Sequence, residues 1–272
     1  MSVTLQSRLK EEEIKQYRDQ GYALIHRPVF EQGKFDRLKA HFENRLAALP
    51  PGERPEAMDT PHFGDPALNE WALAPEMVDL VEPILGPDIL LFSTHFICKP
   101  QGDGRRVPWH EDSAFWRQLL DPMEVATVWL AIDPSTTENG CMYVVPRTHS
   151  TGKKGYSDYE NVDLNFSVFD REIIEEQRKD ELAVPCVLQS NECSLHDARL
   201  HHGSPPNTST KRRCGWTLRF VPAYSRLNPE FADRQLMYLA RGKNLLNQDL
   251  ADPTKDYSDV IAHRKKIGFK AH

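Results

Sequence analysis

Between Ile89 and Pro222 the chain is written in short β-rich runs, and this pattern constrains its fold more than any other feature. The runs ILLFSTHFICK, VATVWLAID, CMYVVP, AVPCVLQ, CSLHD and GWTLRFVP are separated by Gly, Pro and Asn turn signals. Short strands broken in this way favour a sandwich or barrel over a doubly wound α/β sheet. No Gly-rich phosphate loop follows any of them.

Helical patterns flank the β-rich stretch. Leu9 to Tyr17 reads as an amphipathic helix with an acidic first turn (Glu11, Glu12, Glu13), stopped by Gly21 before a short strand from Tyr22 to His26. Phe35, Leu38, Phe42 and Leu46 recur at helical spacing, so Gly33 to Leu49 should pack one face on something larger. Pro50, Pro51, Pro55, Pro61 and Pro66 are expected to interrupt regular structure, and a short helix from Pro75 to Leu85 ends at Gly86-Pro87. The N-terminal third therefore reads as helical. A polar, strand-poor insertion lies between Arg147 and Leu182 and is expected to end in a helix; connections of this length often serve as lids or binding loops. Beyond Pro222, helices are expected over Pro229 to Ala240 and Tyr257 to Lys266. The organisation predicted is one domain over 1–272: helical support 1–88, a β core 89–222 carrying the lid-like insertion 147–182, and a helical tail 223–272.

Charge and composition narrow the function. Lys and Arg number 34 against 40 Asp and Glu, a formal net charge of -6. This disfavours a generic nucleic-acid binder or an anionic membrane surface, both of which call for surplus cations. No apolar run is long enough to span a bilayer, and the opening MSVTLQSRLKEEEIKQY has no signal-peptide core, so a cytoplasmic location is expected. Five cysteines, an odd number with no C-x-x-C pair, read as reduced, buried thiols.

The chemistry concentrates at Trp109-His110-Glu111-Asp112. In extended chain alternate side chains share a face, so His110 and Asp112 converge while Glu111 points away. A second histidine from a distant strand would complete the two-histidine, one-carboxylate triad that holds ferrous iron and leaves open positions for cosubstrate and dioxygen. Standing alone, the pair reads as a surface salt bridge or a supporting contact before it reads as a metal site. A second element, HHGSPPNTSTKRR from His201 to Arg213, changes the balance.

With these two elements, the stretches HFICKPQGDGRRVPWHED and ATVWLAIDPSTTENGCMYVVPRTH, and the opening YRDQGYALIHRPVF, the sequence resembles the phytanoyl-CoA dioxygenase family of Fe(II)/2-oxoglutarate-dependent oxygenases over roughly residues 14 to 222. The resemblance implies a mainly β fold with flanking helices, a double-stranded β-helix (jelly roll, cupin-like). It implies that His110, Asp112 and His202 bind iron and act catalytically through it, and that Arg213 holds the distal carboxylate of 2-oxoglutarate with a hydroxyl from Ser204. Trp129 and His95 fall where the family has cofactor-lining residues, although His95 matches in position and not in residue type.

Neighbouring residues compete for these roles. The H-G-S register selects His202 over His201, and spacing together with strand alternation selects Arg213 over Arg212. His196-Asp197 looks like a metal pair, but adjacent strand residues face apart, so a structural or supporting role is assigned. Histidines 26, 41, 62, 149, 263 and 272 lack such a context and read as core or surface residues. Lys99, Arg105 and Arg106 fit a solvated loop or an electropositive mouth for an anion. Phe115 and Trp116 fit core or substrate pocket, with the pocket preferred.

The function expected is hydroxylation of an unactivated C–H bond in a small, polar or anionic metabolite of amino acid, amine or aminophosphonate type, with release of succinate and CO2. Fe(II), 2-oxoglutarate and O2 are the expected cofactors, with ascorbate as a reductant, and no nucleic-acid or membrane partner is expected. Acyl-CoA hydroxylation, desaturation or cyclisation within the family, and a non-redox cupin-like metal protein, stand as alternatives. Related halogenases lack the metal carboxylate, a position that Asp112 fills here.

Overall fold

The computed structural model describes residues 8–150 and 156–269. The chain enters through α1 (Glu11–Gln20), β1 (Tyr22–Ile25) and α2 (Gln32–Ala47). Glu13 caps the backbone N–H of Lys10 at 2.8 Å, and the Glu31 carboxylate accepts from Gly33 N and Lys34 N at the start of α2. Both bonds satisfy donors that a helix N-terminus leaves open. A two-residue strand β2 (Met58–Asp59) and the short helices α3 (Pro61–Gly64) and α4 (Asn69–Ala72) follow, so the proline-rich stretch, expected to lack regular structure, carries small elements. Helix α5 (Pro75–Leu85) begins on a proline, whose missing N–H costs nothing in the first turn.

The β core comprises β3 (Ile89–Lys99), β4 (Val107–His110), β5 (Leu120–Asp121), β6 (Ala126–Ala131), β7 (Tyr143–Val144), β8 (Tyr159–Asn161), β9 (Arg171–Ile173), β10 (Val184–Pro185), β11 (Cys193–Asp197), β12 (His202–Ser204) and β13 (Arg213–Pro222), with α6 (Asp112–Trp116) after β4. Then come β14 (Arg226–Leu227), β15 (Tyr238–Arg241) and α7 (Ser258–Ile267). Among the described residues the larger sheet runs β1-β11-β6-β13-β3-β15, with β2 also on β3, and the smaller runs β10-β7-β12-β4. Every pairing within them is antiparallel. The fold is a jelly roll buttressed by helices, as the resemblance implies.

Three local expectations are corrected. The insertion does not end in an α-helix: its described part holds the β8–β9 hairpin and the single turns Glu175–Gln177 and Asp180–Leu182. Glu172 on β9 explains its seat, because the carboxylate accepts from Trp109 N at 3.0 Å and from Arg106 at 2.6 Å, tying the hairpin to β4. The stretch Pro229–Ala240 is a turn (Pro229–Phe231) followed by β15, since pairing with β3 outweighs its helical spacing. The N-terminal third is not wholly helical either, because β1 pairs with β11 and extends the larger sheet.

Strand alternation in the larger sheet has an unusual outcome: β3, β6 and β13 are buried on both faces. Val128, Leu130, Leu195, Trp216, Leu218 and Phe96 pack outward against Leu38, Phe42, Val78 and Val81 of α2 and α5. Phe42 lies 5.0 Å from Phe96, which stacks on Trp216 at 5.0 Å. The alternate residues, many polar, face the barrel interior and not solvent. All five cysteines are buried and free. Among the described residues no helix is long and apolar enough to cross a membrane.

Candidate metal centre

His110 ends β4, Asp112 opens α6, and His202 opens β12, directly across the ladder from His110. The two residues 92 positions apart in sequence thus become cross-strand partners. The imidazole centroids are 4.0 Å apart, His110 Nε2 lies 3.5 Å from Asp112 Oδ1, and His202 Nε2 lies 3.9 Å from the same oxygen. All three side chains are buried, and one ligand atom from each falls within 4.8 Å of the others. Glu111 points the opposite way, as alternation requires, and accepts from Ser157 N at 2.7 Å.

The hydrogen bonds decide which ring nitrogen is free. His110 Nδ1 lies 2.8 Å from Pro108 O and His202 Nδ1 lies 2.9 Å from Leu200 O. A carbonyl only accepts, so both Nδ1 atoms carry the proton and both Nε2 atoms present lone pairs to the shared space. Burial, reinforced by His110 and His196, pushes the His202 pKa well down and keeps the ring neutral. Burial opposes ionisation of Asp112, yet Arg219 and the neighbouring histidines hold its carboxyl well below the ordinary range. Two imidazoles and one carboxylate, oriented from behind, suit a divalent first-row metal such as iron(II).

Arg213 sits in the same cavity, which is lined also by Trp129, Ser204, Thr217 and Arg219. Its side chain is buried, and Nε and Nη2 donate to Gly140 O at 3.1 and 2.6 Å. Gly140 adopts φ 76°, a left-handed conformation natural to glycine, and this turn aims its carbonyl at the guanidinium. The Arg213 guanidinium lies 5.3 Å from the Trp129 ring centroid. Burial pushes its pKa down to about 10. No carboxylate pairs with it among the described residues. Lys99, directly across the ladder, is likewise buried and is pushed well below the ordinary lysine range by burial and by Arg213. Its ammonium donates to Ser204 Oγ at 2.7 Å and also bonds Pro205 O. Two buried cations without a carboxylate are costly until an anion neutralises them.

The remaining expectations divide. Arg212 lies outside the cavity, bonded to Asp133 and Glu43, while His201 bonds Ser157 Oγ at 3.0 Å. Arg105 and Arg106 are half-buried and paired, with Glu56 and Glu172 at 2.7 and 2.6 Å, so neither is a free cation at a mouth. Trp116 is core: fully buried, it packs against Phe92 with Arg219 over its face. Phe115 does approach the centre, 5.9 Å from the His110 ring. His95 lines an adjacent cavity instead of the metal cavity and donates through Nε2 to Glu56 O at 2.8 Å. His196 stands 3.9 Å from Asp112 Oδ2, consistent with support behind the carboxylate. Arg219, 3.5 Å from the same oxygen, was not singled out from sequence. The signal existed: alternation from Arg213 along β13 carries through Thr217 to Arg219.

Comparison with known proteins agrees with this geometry. A family profile described as phytanoyl-CoA dioxygenase (PhyH) matches residues 8–215. A phytanoyl-CoA dioxygenase domain-containing protein 1 homolog of Dictyostelium discoideum is 28% identical over 59% of this chain and 56% of its own. A probable alpha-ketoglutarate-dependent hypophosphite dioxygenase of Stutzerimonas stutzeri is 29% identical over 57% of this chain and 53% of its own. The chain thus spans about half the length of these curated relatives. Its fold is similar to that of a solved non-heme monooxygenase, ThoJ, at a TM-score of 0.72 and 20% identity, covering 94% of this chain and 95% of that one.

Proposed function

The chain belongs to the phytanoyl-CoA dioxygenase family, and from that premise we propose that it is an Fe(II)- and 2-oxoglutarate-dependent dioxygenase that hydroxylates an unactivated C–H bond of a small, polar or anionic metabolite. The observation that carries the reading is the pairing of the His110, Asp112 and His202 cluster with a buried, carboxylate-free Arg213 in one cavity. Iron, when bound, supplies the redox chemistry that couples dioxygen and 2-oxoglutarate, released as succinate and CO2, to oxidation of the substrate.

The protein's own residues do the rest. His110 Nε2, Asp112 and His202 Nε2 would hold the metal, and the carbonyls of Pro108 and Leu200 fix both rings with Nδ1 protonated. Arg219 keeps Asp112 ionised and fixes its second oxygen. Arg213 anchors the distal carboxylate of 2-oxoglutarate, a task suited to a guanidinium that stays charged. Ser204 and Lys99 add polar contacts from the neighbouring strands, and Trp129 forms the wall beside Arg213. Phe169, from the insertion, stands edge-on to His110 at 5.0 Å and helps exclude water, consistent with a covering role for residues 147–182. Because Asp112 fills the position that halogenases leave for chloride, the expected product gains one oxygen.

Anaerobic addition of Fe(II) and 2-oxoglutarate should give a weak visible charge-transfer band. Arg213→Ala removes a buried charge partner of the cosubstrate, a loss of about 2–5 kcal/mol, so half-saturation should need roughly 30-fold or more 2-oxoglutarate. Wild-type cosubstrate affinity in that variant would overturn the assignment.

A further inference from the structure

The cavity at the metal residues is too small for the molecules it must receive. It measures about 30 Å³, room for about two waters, which is less than 2-oxoglutarate alone occupies. Some part of its wall has to give way before cosubstrate and substrate enter. Beside it lies a chamber of about 330 Å³, bounded by Glu56 and Thr60 of the proline-rich stretch, Leu164 and Val168 of the insertion, and Ile261 and Arg264 of α7. Among the described residues, Phe169 alone lines both spaces.

The backbone that carries this ring is pinned on both sides. Arg106 N donates to Phe166 O at 3.2 Å, Val168 N donates to Arg106 O at 3.0 Å, and Val162 N donates to Asp170 O at 2.9 Å. Arg105 adds a bond to Leu164 O at 2.8 Å, and Glu172 ties the following strand to Arg106 and Trp109 N. The ring itself is held more lightly. It stands edge-on to His110 at 5.0 Å and 5.8 Å from Phe115, but its buried aliphatic neighbours are only Ile97 and Val107, a small cluster apart from the main core. Protein interiors are close-packed, so most buried rings have nowhere to turn. This one has the chamber behind it, and rotation about side-chain bonds carries a ring between staggered positions while the backbone stays in place.

Resting on the dioxygenase reading above, we propose that Phe169 is the gate of the metal cavity: its ring closes the cavity in this structure and swings into the chamber, on an anchored backbone, to let ligands pass. The chamber is the free space of that swing and not a ligand's seat. A gate of this kind sets the rates of entry and exit together and leaves affinity unchanged, because the same ring stands in the way in both directions.

The test follows entry by stopped flow. Co(II) entering the metal-free protein is read from its visible absorbance, and 2-oxoglutarate entering the anaerobic Fe(II) protein from the charge-transfer band. Phe169→Ala should raise the association and dissociation rate constants of both ligands by a common factor of about tenfold or more, with each Kd within about twofold of wild type, and Phe169→Leu should fall between. Leu164→Trp, at a chamber-lining position 43% exposed, and Ile261→Trp on α7 fill the space the ring needs. At least one of them should slow entry by about threefold or more, and that slowing should vanish when Phe169→Ala is added. Wild-type rates in Phe169→Ala, a changed Kd with unchanged association, no slowing by either tryptophan, or equal slowing with and without the Phe169 ring would each overturn the proposal. Absence of the charge-transfer band in the wild-type protein would instead defeat the dioxygenase reading, and Co(II) entry would still decide the gate.

Discussion

Gly215 offers a sharp perturbation, because it faces inward on β13 between Arg213 and Thr217. A Cβ there would fall 2.0, 2.2 and 2.5 Å from Cζ2, Cε2 and Cη2 of Trp129. Ordinary contact begins at 3.4 Å, so Gly215→Ala requires the indole to retreat by about 1.4 Å. Trp129 is buried, with little space to retreat into. Overpacking of this kind costs about 1–3 kcal/mol, a fall in Tm of about 2–6 °C for a chain of this size. The retreat also breaks the contact between the indole and the Arg213 guanidinium, 5.3 Å apart. A desolvated cation–π contact is worth about 1–2 kcal/mol, so the dissociation constant for 2-oxoglutarate should rise about tenfold. Thermal unfolding and anaerobic titration of the charge-transfer band measure the two effects. The three clashing atoms belong to the indole's six-membered ring, so adding Gly215→Ala to a Trp129→Phe background should cost within about 0.5 kcal/mol of nothing. Wild-type Tm and cosubstrate affinity in Gly215→Ala, or simple additivity in the double variant, would refute the reasoning.

The other predictions concern residues away from that contact. His62 is fully buried beside Thr94 Oγ1, and burial pushes its pKa down to about 3. The native state therefore refuses a proton that the unfolded chain accepts below about pH 6.5, so stability is intact above that value and declines as pH falls toward 3; at pH 5 the loss is about 2 kcal/mol. Urea unfolding at pH 7 and pH 5 should show a smaller decline for His62→Gln than for wild type, and parallel declines would contradict this. Arg212 clamps Asp133 and Glu43, joining β13 to α2, so Arg212→Ala should lower stability by about 1–3 kcal/mol while leaving 2-oxoglutarate affinity unchanged. A cosubstrate defect matching that of Arg213→Ala would reverse the assignment of the two arginines.

Local chemistry makes much of the metal centre legible in the amino-acid sequence. His110 and Asp112 share a face because extended chain alternates, and the same rule separates Arg213 from Arg212 and extends to Arg219. Helices α2 and α5 follow from apolar spacing and from proline and glycine at their ends. Spacing failed where long-range pairing won. Pro229–Ala240 has helical periodicity, but Tyr238–Arg241 gains a ladder with β3. The end of the insertion is charged enough for a helix, but Glu172 gains bonds to Arg106 and Trp109.

The sequence by itself determined which side chains stand on which face of each strand, since the two-residue period is a property of the backbone. Only the tertiary structure decided what each face meets. The polar faces of β3, β6 and β13 would read as solvent-facing, and they turn inward because helices cover the apolar side. Trp116, for which the sequence favours the pocket, is committed to the core by Phe92 and Arg219. The chamber holding Glu56 and Arg264 has no trace in any local pattern, because its walls come from segments about 200 residues apart and exist only once the chain has closed on itself.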